Sequence, residues 1–229
     1  LANGMFLEVL IAKILKPKIK YVAKVPGDIV WERSRNMGRT HLSINDFQKS
    51  RLHIRDYVQR IFFTLSLRMA YKVIVPSIEL SEMCIYWGVN PNKITVIGNA
   101  VDENHFKPLD LNKEIDILFV GRLVSWKNID TLIKVAQDLQ MKLVIAGEGE
   151  DLQTLKNLVN KKLGLVHFVG NIGYEQLPLL YNKSKLFVLN SDYEGMPYAL
   201  IEAQMCGVFS IANGATGSAN VIQDQVTGI

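Results

Sequence analysis

The stretch LFVLNSDYEGMPYALIEAQMCGVFSIA, residues 186–212, decides the fold. It opens on a short apolar run, residues 186–189, of the kind found in strands covered on both faces. A polar loop follows at residues 190–195. Pro197 then suits the first turn of a helix and Gly207 suits its end, so residues 197–206 read as a helix. A second apolar run closes the unit at residues 208–212. Strand, helix and strand in so short a span form the repeating unit of a parallel sheet.

The same alternation extends upstream. Apolar runs at residues 115–120, 142–146 and 166–169 read as three more strands. Between them, Ile129, Leu132, Ile133, Ala136 and Leu139 recur at helical spacing, as do Leu152, Leu155, Val159 and Leu163. A shorter helix is predicted over residues 174–182. The second half is therefore an α/β unit with a parallel sheet and helices on both faces. The first half is sparser: a core helix over residues 5–15, strands at 20–25, 72–75 and 94–97, and helices at 56–70 and 78–87. Residues 27–50 are polar without a sustained period and read as a long loop with short helical turns. Residues 99–112 read as a linker, giving domains at 1–98 and 113–229. The first half has too few strands for a complete doubly wound domain, and the sequence is expected to be a fragment, truncated at both ends.

Composition bounds the function. The chain has 229 residues, 48% hydrophobic and 21% charged, which is ordinary for a globular protein. A net charge of +4 is too mild for a nucleic-acid binder. Cys84 and Cys206 stand far apart in apolar surroundings and read as buried thiols of a reducing compartment. The four histidines show no metal-ligand spacing. No apolar run is long enough to span a membrane, so a cytoplasmic location is expected. Lys13, Lys16, Lys18 and Lys20 form either a solvated patch or a face for peripheral association with the inner membrane surface or a lipid-linked acceptor.

In open parallel sheets, ligands bind beyond the carboxyl ends of the strands. Each strand of the second half ends there in something distinctive. The first ends in Gly121 and Arg122, with Lys127 close behind. These two cations suit a diphosphate, or are solvated surface charges. The second ends in Gly147–Glu148–Gly149, which permits close backbone approach or makes a plain tight turn. The third runs into Asn171, and the fifth into the glycine-rich turn 214–217. The fourth carries Glu194 in a loop before a helix N-terminus. Gly195 offers no side chain to block a ligand, and backbone N–H groups around Met196 and Tyr198 are placed to receive an anion. Glu202, further along that helix, either accepts hydrogen bonds from sugar hydroxyls or is solvated, just as Glu194 either meets a ligand or complements the helix dipole.

Glu194 and Glu202, with seven residues between them, match the paired-glutamate motif of the family 4 glycosyltransferases, and the sequence resembles that family over a wider span. VGRLVSWKNIDTLI (120–133), LVIAGEGEDLQTL (143–155), VHFVGNI (166–172), residues 186–212 and VIQDQVTGI (221–229) follow in the family's order. KITVIGNAVDENHFKP (93–108) resembles its interdomain junction, and GDIVWERSRNMG (27–38) a variant found in some members. The resemblance implies a GT-B fold of two Rossmann-like domains, the N-terminal one incomplete, and a retaining transfer of a sugar from a UDP-, GDP- or ADP-sugar. It implies that Arg122 and Lys127 bind the donor diphosphate and that Glu194 contacts the donor sugar. Gly121, Gly147, Gly149, Gly195, Met196 and Pro197 would then supply close backbone. Glu202 would hold the ribose, and Asn171 and Ile172 would line the base. It implies no metal and no cofactor beyond the donor, with a glycan, lipid-linked or small-molecule acceptor.

One departure concerns the acceptor side. Many members carry a histidine after the strand matching residues 20–25. This chain has Val25–Pro26–Gly27–Asp28 instead, and Asp28 is either a polar substitute facing the cleft or a cap for the following turn. Two other readings are a nucleotide-sugar binding module without turnover and a sugar-nucleotide epimerase of similar architecture. The paired glutamates together with Arg122 and Lys127 argue against the epimerase.

Overall fold

The computed structural model describes residues 2–3, 6–214, 216–222, 225–226 and 228–229. The expected helix start at Met5, Ala215 of the glycine-rich turn, and Gln223, Asp224 and Thr227 of the final motif lie outside the described residues. The chain divides into two compact units, Leu1–Asn99 and Ala100–Ile229.

In the first unit, β1 (Ala2–Asn3), β2 (Val22–Lys24), β3 (Lys72–Val75) and β4 (Ile94–Val96) pair in parallel in that order. Helix α1 (Phe6–Leu15) joins β1 to β2, and α5 (Ile78–Tyr86) joins β3 to β4. Between β2 and β3 lie α2 (Ile29–Asn36), α3 (Ile44–Lys49) and α4 (Ile54–Met69). The polar segment expected as a long loop with short helical turns thus folds into two short helices. Their starts are fixed locally: Asp28 accepts from the Val30 and Trp31 N–H groups, and Ser43 accepts from Asp46 N–H. Once started, α2 buries Val30 and Trp31 on one side, a stripe too short to show as a period.

Helix α1 forms, yet the core role expected for it does not. It buries Leu10 and leaves Leu7, Ile11, Ile14 and Leu15 exposed. It packs along α4, with Phe6 edge-on to Phe63 at 5.7 Å, so a single stripe is covered. Both cysteines are free and buried, as expected. Burial, with Asp28 nearby, pushes the Cys84 thiol up to about 12.

The second unit is a five-stranded parallel sheet. Its elements run β5 (Ile115–Val120), α6 (Ile129–Asp138), β6 (Leu143–Ala146), α7 (Leu152–Leu158), β7 (Val166–Gly170), α8 (Leu177–Asn182), β8 (Ser184–Leu189), α9 (Tyr198–Met205) and β9 (Phe209–Ala212). The spatial order is β7-β6-β5-β8-β9. The chain therefore winds outward from β5 to one edge, returns to pair β8 with β5, and winds to the other edge. Leu118, Phe119, Ile133, Leu143, Ile145, Phe187 and Leu200 are fully buried at its centre.

Three details depart from expectation. β7 alternates half-buried and exposed positions, because it is an edge strand with His167 and Val169 facing out. Helix α7 stops at Leu158 instead of reaching residue 163: Val159 is extended, and the Asn160 N–H bonds the Gln137 side chain. Residues 100–112, expected within a linker, belong to the second unit. Phe106 is fully buried there against Tyr181, and Asn182 bonds the Leu109 N–H and the Lys107 carbonyl.

The loops after β5 and β6 are docked backbone to backbone. Gly121 N–H bonds the Ala146 carbonyl and Leu123 N–H bonds the Glu148 carbonyl, at 3.0 and 2.8 Å. A Cβ on Gly147 would lie 1.9 Å from the Gly121 carbonyl oxygen, and one on Gly149 would lie 2.2 Å from that of Leu123. Gly149→Ala is expected to destabilise the protein by about 1–3 kcal/mol. The midpoint of urea unfolding measures it; an unshifted midpoint would show that the two loops separate freely.

Candidate functional site

A doubly wound sheet opens a crevice where its strand order reverses, because the loops leaving the two central strands part to opposite faces. Here that point lies between β5 and β8. The loop after β5 carries Arg122, a turn at Ser125–Lys127 and then α6; the loop after β8 carries residues 190–197 and then α9.

These two loops are tied to each other. Asp192 N–H donates to the Trp126 carbonyl at 2.8 Å. Asn128 sits in the left-handed region at φ 48°, and its side-chain amide donates to the Asn190 carbonyl and to Asp192 Oδ1. Lys127 Nζ pairs with Glu194 Oε1, and the two side chains retain only 12% and 11% of their exposure. An ion pair so far out of water holds when each charge supplies what the other has lost. Arg122 lies at the surface with its guanidinium 5.7 Å from the Trp126 ring centre.

Gly195 and Pro197 are buried, and Pro197 precedes the first turn of α9, which no side chain caps. Its leading N–H groups thus keep the partial positive charge of a helix start. The turn after β9 closes on the same backbone: Gly217 N–H donates to the Glu194 carbonyl, and a Cβ on Gly217 would lie 2.0 Å from the Gly195 oxygen. The Ser191 and Ser218 hydroxyls at this edge are buried without a hydrogen-bond partner. Gly121, Arg122, Gly147, Asn171 and Ile172 line one hollow of about 260 Å³. Gly149 is absent from that lining and serves the loop docking described above.

Glu202 is buried rather than solvated, and its Oε2 accepts the Tyr181 hydroxyl at 2.7 Å. Burial holds its carboxyl above the ordinary range, while the Tyr181 bond and the nearby His105 act the other way. His105 stacks on Tyr174 at 4.4 Å and bonds its carbonyl. The structure brings together Arg122, Lys127, Glu194, Gly195, Met196 and Pro197 at the reversal point. Sequence reading missed Asn128, Ser218 and Tyr181. Asn128 was open to detection, since it directly follows Lys127 and asparagine tolerates the left-handed turn. The other two carry no local signal.

Asp28 does not serve the acceptor-side role considered for it. It is fully buried; Oδ1 accepts the Val30 and Trp31 N–H groups, and Oδ2 accepts Gln48 and Arg60 at 2.8 and 2.6 Å. It caps α2 and anchors Arg60. Among the described residues no group of three or more His, Cys, Asp or Glu side chains could hold a metal. None of the described helices is long and apolar enough to cross a membrane.

A family profile described as "Glycosyl transferases group 1" matches residues 101–229, more than half of the chain. An uncharacterized glycosyltransferase of Methanocaldococcus jannaschii is 32% identical over 154 residues, covering 63% of this chain and 38% of that protein. Among solved structures, sucrose-phosphate synthase from Thermosynechococcus elongatus superposes with a TM-score of 0.78 at 22% identity, covering 99% of this chain and 58% of that one. Anabaena HepE in complex with UDP-glucose superposes with a TM-score of 0.75 at 22% identity, covering 98% and 61%. The chain thus spans less than two thirds of the length of each, and its fold is the GT-B fold of those structures.

Two outcomes follow from the carboxylates. Asp28→Ala leaves Arg60 without its buried partner and α2 without its cap. The expected cost is about 3–5 kcal/mol, read from urea unfolding; a loss near zero would restore Asp28 as a free polar group. Because Glu202 has a raised pKa in the folded state, its contribution to stability is fully present below its unfolded pKa and is lost as pH rises through the folded value. Glu202→Gln should therefore gain on the native chain as pH rises above the ordinary carboxylate range. A stability difference that does not change with pH would contradict the assigned burial.

Proposed function

The chain belongs to the group 1 glycosyl transferases, and from that membership we propose that the whole protein moves a sugar from a nucleotide-sugar donor to an acceptor with retention of anomeric configuration, in the manner of family 4. The observation that carries this reading is the Lys127–Glu194 pair at the reversal of strand order, beside the uncapped start of α9.

The roles follow from charge and position. The donor diphosphate takes Arg122, Lys127 and the α9 N–H groups as its partners. The sugar lies toward Glu194, the ribose toward Glu202 with its carboxylate aligned by Tyr181, and the base toward Asn171 and Ile172. In transfer, the bond from the anomeric carbon to the diphosphate oxygen breaks and its electron pair leaves with the nucleotide. The acceptor oxygen bonds to the same face of that carbon, and its proton passes to a donor phosphate oxygen. Negative charge grows on the leaving diphosphate, and groups already in place stabilise it without reorganising. In this reading those groups take the place of a divalent metal, and the donor is a UDP-, GDP- or ADP-sugar.

Calorimetry with a panel of nucleoside diphosphates should give a heat of binding for at least one, and Lys127→Ala should weaken it by about tenfold or more. No heat from any nucleotide on folded protein would sink the donor reading. In the full-length protein, Glu194→Gln should lower turnover by about 100-fold with nucleotide affinity little changed, and EDTA should leave native turnover intact. Unchanged turnover in the variant, or abolition by EDTA, would refute the corresponding role.

A further inference from the structure

A hollow in the first unit lies between α3, α4 and α5 and measures about 720 Å³, within the range of small-molecule sites. It contains none of the residues discussed as donor partners. Its wall holds three arginines, Arg51, Arg60 and Arg68, and four aromatic residues, Phe47, Tyr57, Tyr86 and Trp87, with no Asp or Glu in the lining. Tyr57, Arg60, Thr64 and Arg68 fall along one side of α4 at helical spacing.

Two of the arginines are held rigidly. Arg60 donates to Asp28 and lies 4.7 Å from the Trp87 ring centre, while its Nη1 is buried with no hydrogen-bond partner. Arg68 donates from Nε and Nη2 to the Trp87 carbonyl at 3.0 and 2.7 Å. Gly88, at φ 83°, makes room for it, since a Cβ there would lie 2.4 Å from Arg68 Nη2. Arg51 is exposed, as are Tyr57 and Tyr86. Asp28 offsets one of the three charges, and the lining keeps a net positive charge beside apolar rings. A buried charged donor without a partner is costly in a native fold and marks a place where a ligand atom or a water completes the set.

We propose that this hollow binds the phosphate ester of an organic compound. The guanidinium groups take the phosphate oxygens in fork geometry, and the aromatic side chains take the organic body. A phosphorylated sugar and a phosphorylated lipid share this chemistry. The site is independent of the donor reading, since every lining residue belongs to the first unit.

Calorimetry on the whole chain tests it with glucose 1-phosphate and with dodecyl phosphate below its micelle concentration; glucose and inorganic phosphate serve as controls. At least one ester should bind about tenfold or more tightly than either control, and which one binds identifies the source. Arg51→Glu should weaken that binding by about tenfold or more. Arg60→Lys should do the same, because it keeps a charge for Asp28 and removes the orphaned nitrogen; should it fail to melt like the native protein, Arg51→Glu decides alone. Nucleoside diphosphate titrations should read the same in these variants as in the native chain. The proposal is overturned if neither ester binds, if inorganic phosphate binds equally well, if binding survives in the folded arginine variants, or if Lys127→Ala abolishes it instead.

Discussion

The hydrogen bond from the Asp192 amide to the Trp126 carbonyl joins two loops that leave the sheet in opposite directions. The rest of the carboxyl edge of the second unit's sheet depends on that junction. β5 and β8 are neighbours in space but are separated in sequence by two strands and three helices. Nothing in either strand fixes how their following loops meet. The amide bond, reinforced by Asn128 reaching both Asn190 and Asp192, sets that meeting. Only then do Lys127 and Glu194 face each other, each largely out of water and each the other's counter-charge.

The same edge is built to an unusual degree from backbone. Gly147 against Gly121, Gly149 against Leu123 and Gly217 against Gly195 place main chain where any side chain would collide with a carbonyl. Four loops are thereby stacked with their amides and carbonyls engaged. A site assembled this way moves little, because each loop is held by its neighbour rather than by rotatable side chains. Rigidity of that kind suits the recognition of phosphate by fixed N–H groups and cations, which act best when they need no rearrangement.

Much of this was legible in the sequence. The alternation of apolar runs with helical spacing marks the five strands of the second unit, and Pro197 and Gly207 bracket α9 closely. Which strands lie at the edge was not legible, so β7 read as covered on both faces. The order of strands depends on crossovers that leave no local trace. Residues 27–50 failed for a different reason. Helices α2 and α3 are held by caps at Asp28 and Ser43 and by tertiary partners, not by an apolar period. The pairing of Glu202 with Tyr181 spans 21 residues and two elements, so the burial of that carboxylate could not be read from its own helix.

Asp28 and Glu202 show how geometry separates carboxylates that look alike in sequence. A carboxylate offers about four acceptor positions. Asp28 has filled both oxygens with two backbone amides, an amide side chain and a guanidinium. It has nothing left to give a ligand, and removing it would strand Arg60. Glu202 receives Tyr181 at Oε2 and keeps acceptor capacity at Oε1, on the helix whose start adjoins Lys127 and Glu194. Burial raises its pKa, so an incoming pair of hydroxyls would supply hydrogen bonds that the charged form lacks. The saturated acid holds the first unit together, and the unsaturated one is the acid with capacity to hold a ligand.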